Sequence, residues 1–156
     1  RFANINTTTI GSYATPKIRL PGAGGAPEIA GMAGEVFIVL KQTLRAFVER
    51  LEFITTVGFL GGGDARARAG LKGKGPSAVI TDLGILTPDP ATKELTLTSI
   101  HPGVTVEQVK AATGWSLKVS PALETTRAPE AAELAVLREL LSRTAEKHGR
   151  AEATDA

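Results

Sequence analysis

The amino-acid sequence predicts an α/β domain, and three observations carry that expectation. Short apolar runs of strand length alternate with stretches of helical periodicity, and glycine-rich loops separate them. The chain, 156 residues and 42% hydrophobic, is long enough to bury one sizeable core, so a single domain is expected.

The elements follow in chain order. Residues 1–20 are rich in Thr and Asn and are punctuated by Pro16; residues 17–20 alternate polar and apolar, as a short half-buried strand does. The run Pro21-Gly22-Ala23-Gly24-Gly25-Ala26-Pro27 is a loop whose glycines permit unusual backbone angles, and residues 28–34 form a short, closely packed helix. Residues 35–40 are almost continuously apolar, which predicts a strand covered on both faces. Leu44, Phe47, Val48 and Leu51 recur at helical spacing, and residues 52–57 read as a second strand. Residues 58–76 are glycine-rich and basic, with little apolar content, and read as an extended surface loop.

Residues 77–86 read as one strand, residues 87–90 as a turn and residues 94–100 as its antiparallel partner with one wet face. Thr105 opens a helix as N-cap, Gln108 completes a capping box, and Gly114 closes it. Residues 115–119 form a last short strand. Pro129 starts a C-terminal helix with an apolar stripe of Leu134, Leu137, Leu140 and Leu141, ending near Gly149; residues 150–156 read as a disordered tail.

Composition removes several function classes. With 18 basic against 16 acidic residues and 4% aromatics, no basic cluster interleaves with stacking rings, so nucleic acid is not an expected partner. The absence of cysteine excludes disulfides, thiolate catalysis and Cys-based zinc sites. No apolar run approaches the roughly 18 residues of a membrane span. A cytoplasmic protein is expected. The sequence opens without methionine or a signal-peptide core, and so reads as beginning mid-domain.

Few positions offer chemistry. The glycines at 22, 24 and 25, ahead of a helix, let backbone N–H groups converge on an anion or developing oxyanion; a tight packing turn explains the same residues. It is not GxGxxG, since Pro27 stands where glycine is required, and Pro76 spoils the near fit of residues 70–75 to GxxxxGK[ST]. Arg66, Arg68, Lys72 and Lys74 make a cationic loop suited to phosphates or simply to solvent. His101, before Pro102-Gly103, has the setting of a structural hydrogen bond, and His148 lies in the tail; no metal site is expected. Glu28 complements the dipole of the helix behind the glycine loop.

Several of these segments together resemble class I CoA-transferases. Pro21-Gly22-Ala23-Gly24-Gly25-Ala26 resembles the family's G-x-G-G-A/F oxyanion motif. Asn4-Ile5-Asn6-Thr7-Thr8, Phe47-Val48-Glu49-Arg50, Gly62-Gly63-Asp64, Ala78-Val79-Ile80-Thr81-Asp82-Leu83-Gly84 and His101-Pro102-Gly103-Val104-Thr105 follow the family order. The pattern is that of the B-type (beta) subunit of the glutaconate CoA-transferases, over residues 1 to about 145. The resemblance implies an open, mostly parallel sheet with flanking helices, a β-hairpin and a C-terminal helix. On that footing residues 1–149 are the C-terminal portion of one domain, its N-terminal portion absent.

The implied activity is transfer of CoA between carboxylic acids through a glutamyl-CoA thioester, with the attacking glutamate upstream of these residues. Gly24, Gly25 and Ala26 inherit the oxyanion loop, and Arg66 and Lys72 become CoA contacts. A CoA thioester is substrate, with no tightly bound cofactor, and an A-type (alpha) subunit is the partner. Relatives of the family that open a CoA-linked ring by hydrolysis in steroid breakdown, and a non-catalytic scaffold subunit, remain alternatives.

Overall fold

The computed structural model describes residues 1–147, in two compact units, residues 1–126 and the segment from Arg127 onward. The first unit contains β1 (Thr9–Gly11), β2 (Pro16–Arg19), α1 (Ala26–Met32), β3 (Val36–Val39), α2 (Ala65–Arg68), β4 (Pro76–Ile80), β5 (Gly84–Pro88), β6 (Leu95–Ile100), α3 (Val106–Ala111) and β7 (Lys118–Thr125). β1 and β2 form a separate antiparallel pair; the other five strands form one sheet in the order β3-β4-β5-β6-β7.

In that sheet β3 runs parallel to β4 and β6 parallel to β7, while β5 is antiparallel to both neighbours. Four strands therefore share one direction and β5 alone is reversed, giving the open, mostly parallel α/β sheet. Directly paired residues build the core row Ile38, Val79, Leu86, Leu97 and Val119 across all five strands. Leu86 and Leu97 are fully buried, and Phe47, Phe59, Val109, Trp115 and Leu117 complete the cluster over that row. The opposite row is wetter: Val39 is 74% exposed and Phe37 57% exposed, although parallel strands ordinarily have both faces covered. Residues 35–40 thus form an edge strand covered on one face, not the doubly covered strand expected from their apolar run.

Residues 77–86 do not form one strand. The Thr81 hydroxyl accepts the N–H groups of Leu83 and Gly84, both at 3.0 Å, and this turn reverses the chain between β4 and β5. Gly84 is required at the start of β5, because a Cβ there would lie 2.3 Å from the Ser99 carbonyl oxygen. The expected hairpin is β5–β6, joined by the Asp89 turn, whose carboxylate accepts from Ala91 and Thr92 N–H. Residues 52–57 carry no strand, only an isolated bridge of Ile5 to Thr56. Residues 43–47 form a single turn closed on the Thr43 carbonyl.

Thr105 and Gln108 make the expected capping box of α3, but the helix ends at Ala111 with Ala112 as its C-cap. Gly114 instead presses on the Phe47 carbonyl, to which its N–H donates at 2.7 Å. The last strand lies later and runs longer than the expected 115–119. In the second unit α4 (Ala131–Lys147) exposes Val136, Leu137, Leu140 and Leu141. The expected helix end near Gly149, His148 and the 150–156 tail fall outside the described residues.

Glu94, at the mouth of β6, is a buried carboxylate held between Arg1 Nε at 2.9 Å and Lys118 Nζ at 3.1 Å. Burial favours its neutral form, but the hydrogen bonds and charges of Lys118 and Arg1 outweigh it and leave its pKa below the ordinary value. The folded pKa is therefore depressed, so this contribution to stability is full above the unfolded carboxyl value and fades as pH falls through the folded one. Urea unfolding of wild type and Glu94→Gln at successive pH values tests this: the wild-type advantage should shrink from neutral pH toward pH of about 3.

Candidate functional site

The glycine loop is a preformed turn between the β1–β2 pair and α1. Gly22 N–H donates to the Thr7 carbonyl at 2.7 Å, and Ala26 N–H closes a turn on Ala23 at 3.1 Å. Gly22 and Gly24 lie in the left-handed region, at φ 97° and 54°. Among the described residues no acceptor pairs with the N–H groups of Ala23, Gly24 or Gly25, and Gly24, Gly25 and Ala26 are exposed. Gly25 caps α1 with φ −85° and ψ 5°, and Pro27 follows inside the first turn.

The two central glycines are thus different in kind. Gly24 needs its backbone angle, whereas Gly25 has an angle open to any residue, and a Cβ at either would meet nothing within 4 Å. The unusual backbone angle expected of the loop's glycines is found at Gly24 and not at Gly25.

The 58–76 segment departs from an extended surface loop. It contains α2, and Gly58, Phe59, Gly62, Arg66, Gly73, Gly75 and Pro76 are buried. Arg66, expected to contact CoA, is only 6% exposed. Its Nε donates to the Gly73 carbonyl at 2.7 Å and its Nη1 to Gly58 at 2.9 Å. Its Nη2 donates to Ala30 at 2.6 Å and Gly31 at 3.2 Å, on the last turn of α1. Burial lowers the pKa of this guanidinium from its ordinary value. With its donors committed to carbonyls, Arg66 is not placed to grip a phosphate. Lys72 and Lys74 lie on the same basic loop, where Lys74 is exposed and Arg68 pairs with Asp64.

Arg66 and the Gly73 N–H, which donates to the Gly31 carbonyl at 3.0 Å, draw the basic loop onto the carboxyl end of α1. The glycine loop occupies the other end, about 10 Å away at 1.5 Å per residue. The structure therefore sets the two candidate motifs at opposite ends of one short helix. Sequence periodicity missed this, because the carbonyls that Arg66 binds are 7 to 36 residues away.

His101 does have a structural setting: Nε2 faces the Thr81 carbonyl at 2.9 Å and Nδ1 the Thr126 hydroxyl at 2.8 Å. The carbonyl can only accept, so Nε2 carries a proton. Glu28 is exposed in the first turn of α1. Among the described residues no group of three or more His, Asp or Glu side chains is placed to hold a metal, and no helix is long and apolar enough to cross a membrane.

Away from the glycine loop, a groove of about 760 Å³ opens beside β3 and is lined by Ile38, Leu40, Phe47, Leu51, Leu60 and Trp115. Trp115 Nε1 is buried without an acceptor.

The family model described as Coenzyme A transferase matches residues 1–112. The chain is 57% identical over 149 residues to the B-type subunit of 3-oxoadipate CoA-transferase from Pseudomonas knackmussii, covering 96% of this chain and 57% of that protein. It is 38% identical over 139 residues to the B-type subunit of glutaconate CoA-transferase from Acidaminococcus fermentans, covering 88% and 52%. The crystal structure of glutaconate coenzyme A-transferase from Acidaminococcus fermentans superposes with a TM-score of 0.81 at 35% identity, covering 88% of this chain and 53% of that one. The chain spans little more than half the length of these relatives.

The contrast between Gly24 and Gly25 is measurable. Gly24→Ala forces a Cβ into the left-handed region and should cost about 1–2 kcal/mol in chemical denaturation. Gly25→Ala should be neutral or stabilising by up to about 1 kcal/mol.

Proposed function

Because the chain belongs to the coenzyme A transferase family, we propose that it forms part of the beta subunit of an acyl-CoA:carboxylate CoA-transferase. The reaction runs in steps. A glutamate carboxylate attacks the thioester carbonyl; the tetrahedral intermediate collapses to an acyl-glutamyl anhydride and CoA thiolate. The thiolate then attacks the glutamyl carbonyl, releasing the first carboxylate and leaving a glutamyl-CoA thioester. An acceptor carboxylate repeats the sequence in reverse, leaving with CoA and restoring the glutamate. The glutamate is assigned to polypeptide outside residues 1–156, and an A-type subunit is its partner. Both relatives are named for dicarboxylic acids, 3-oxoadipate and glutaconate, so a dicarboxylic acyl group is the substrate class we infer. CoA thioester enters as substrate rather than as a resident cofactor, and the cytoplasm is the assigned compartment.

The observation that carries this reading is the glycine loop: of the three residues assigned to it, Gly24 and Gly25 keep backbone N–H groups free of protein acceptors among the described residues, whereas the Ala26 N–H is spent on the Ala23 carbonyl. Each tetrahedral intermediate places negative charge on a former carbonyl oxygen. Donors fixed before reaction stabilise that charge without reorganising. Lys72, beyond the other end of α1, is the cation we assign to the CoA phosphates. The exposed row of β3 and the apolar groove beside it support completion of this domain by further polypeptide.

In the complete enzyme, Gly25→Val should lower kcat by about 10²-fold, the loss typical of an oxyanion donor, through occlusion of the space above the loop. Its melting temperature should change little, since its φ suits any residue. A fully active Gly25→Val enzyme would make the loop a packing turn. Lys72→Gln should instead raise KM for the CoA ester at low salt and converge with wild type at high salt, as exposed charges are screened.

The covalent route has its own readout. Incubation with acyl-CoA alone, followed by borohydride reduction and peptide mapping, should place the modification on a glutamate outside residues 1–156. A modified residue within them would overturn that assignment.

A further inference from the structure

We propose that Arg66 is a positioning residue for the glycine loop: by gripping the carboxyl end of α1 it fixes where the loop at the amino end presents its N–H groups. The inference rests on the oxyanion reading of that loop.

A seven-residue helix has no stability of its own, so its direction is set by what holds it. Only Ala30 and Gly31 of α1 are buried, while Ile29 and Met32 are 63% and 62% exposed. The helix is therefore attached through its last turn and not along a packed face. That turn leaves carbonyls with no partner inside the helix, and Arg66 Nη2 binds those of Ala30 and Gly31. A cation there also complements the helix dipole.

The other nitrogens of the guanidinium are tied to segments that cannot easily move. Nη1 binds the carbonyl of Gly58, a residue packed so closely that a Cβ would lie 2.2 Å from the Ala3 carbonyl oxygen. Nε binds Gly73, where a Cβ would lie 2.4 Å from the Ala33 carbonyl oxygen. Arg66 thus references α1 to the Gly58 junction and holds Gly73 against the end of α1 itself, using a planar fork that four carbonyls surround. Lysine has one nitrogen and cannot reproduce that fork. At the far end of α1 the loop's own tie is the Gly22 bond to Thr7, so a shift of the carboxyl end moves the unpaired N–H groups relative to that tie.

The test uses the complete enzyme, full-length chain with its partner subunit, with 3-oxoadipyl-CoA as donor and a simple dicarboxylate, succinate, as acceptor. Arg66→Lys should lower kcat about tenfold or more while KM for 3-oxoadipyl-CoA stays within about twofold, since the donors are displaced and the CoA contacts are not. Amide exchange of residues 22–33 should quicken in the same variant. A raised KM with kcat retained would make Arg66 a CoA contact, and unchanged kinetics would make it packing alone; either overturns the proposal. If Arg66→Lys does not fold, Gly73→Ala disturbs the same junction with Arg66 intact and should give the same kcat-only loss. Failure of both to fold reduces Arg66 to a requirement of the fold and also overturns it. Gly25→Val separates the two readings: if it is fully active the oxyanion loop is wrong, and if it is inactive beside a normal Arg66→Lys, only the Arg66 inference is lost.

Discussion

The guanidinium of Arg66 sits inside the protein with carbonyl oxygens around it and no carboxylate among its hydrogen-bond partners. A charge taken from water at that depth is costly unless every donor finds an acceptor in good geometry. The chain gives all three nitrogens acceptors, four carbonyls in total, with backbone alone, drawn from three segments far apart in sequence. Backbone can crowd one side chain so closely only where its neighbours lack Cβ atoms. Gly73 and Gly75 supply that: a Cβ at Gly73 would lie 3.1 Å from Arg66 Nη2, and one at Gly75 3.4 Å from its Cδ. At Gly58, Gly62, Gly73 and Gly75 the glycine is thus a requirement of dense packing, where the composition of the 58–76 segment itself reads as looseness.

The sheet is satisfied on one side. The paired row from Ile38 to Val119 buries against Phe47, Phe59, Val109 and Trp115, and the reversed strand β5 sits in its middle with Leu86 wholly enclosed. The other side keeps Phe37 and Val39 in solvent. Parallel strands carry apolar residues on both faces because helices ordinarily cover both.

Legibility in the sequence followed the range of the interactions. The α3 capping box was readable because Thr105 and Gln108 bond within one turn, and the β5–β6 hairpin because alternation and turn residues are local signals. The glycine loop was readable as a loop, and its place before a helix was correct. The break between β4 and β5 was not, since the apolar run conceals a turn made by the Thr81 hydroxyl. Residues 52–57 have strand composition, yet composition cannot say whether a neighbouring backbone will pair with them. Arg66 was misread for the same reason: an arginine in a basic, glycine-rich stretch resembles a solvated charge until the fold brings distant carbonyls to it.

The ordinary backbone of Gly25 has a practical consequence. The position combines an angle open to every amino acid with empty space around it, in a chain that contains no cysteine anywhere. One thiol introduced there would be the sole thiol among residues 1–156, set on the rim of the candidate site. Within residues 1–156 it offers a single attachment point for a spectroscopic label or a tethered acyl analogue.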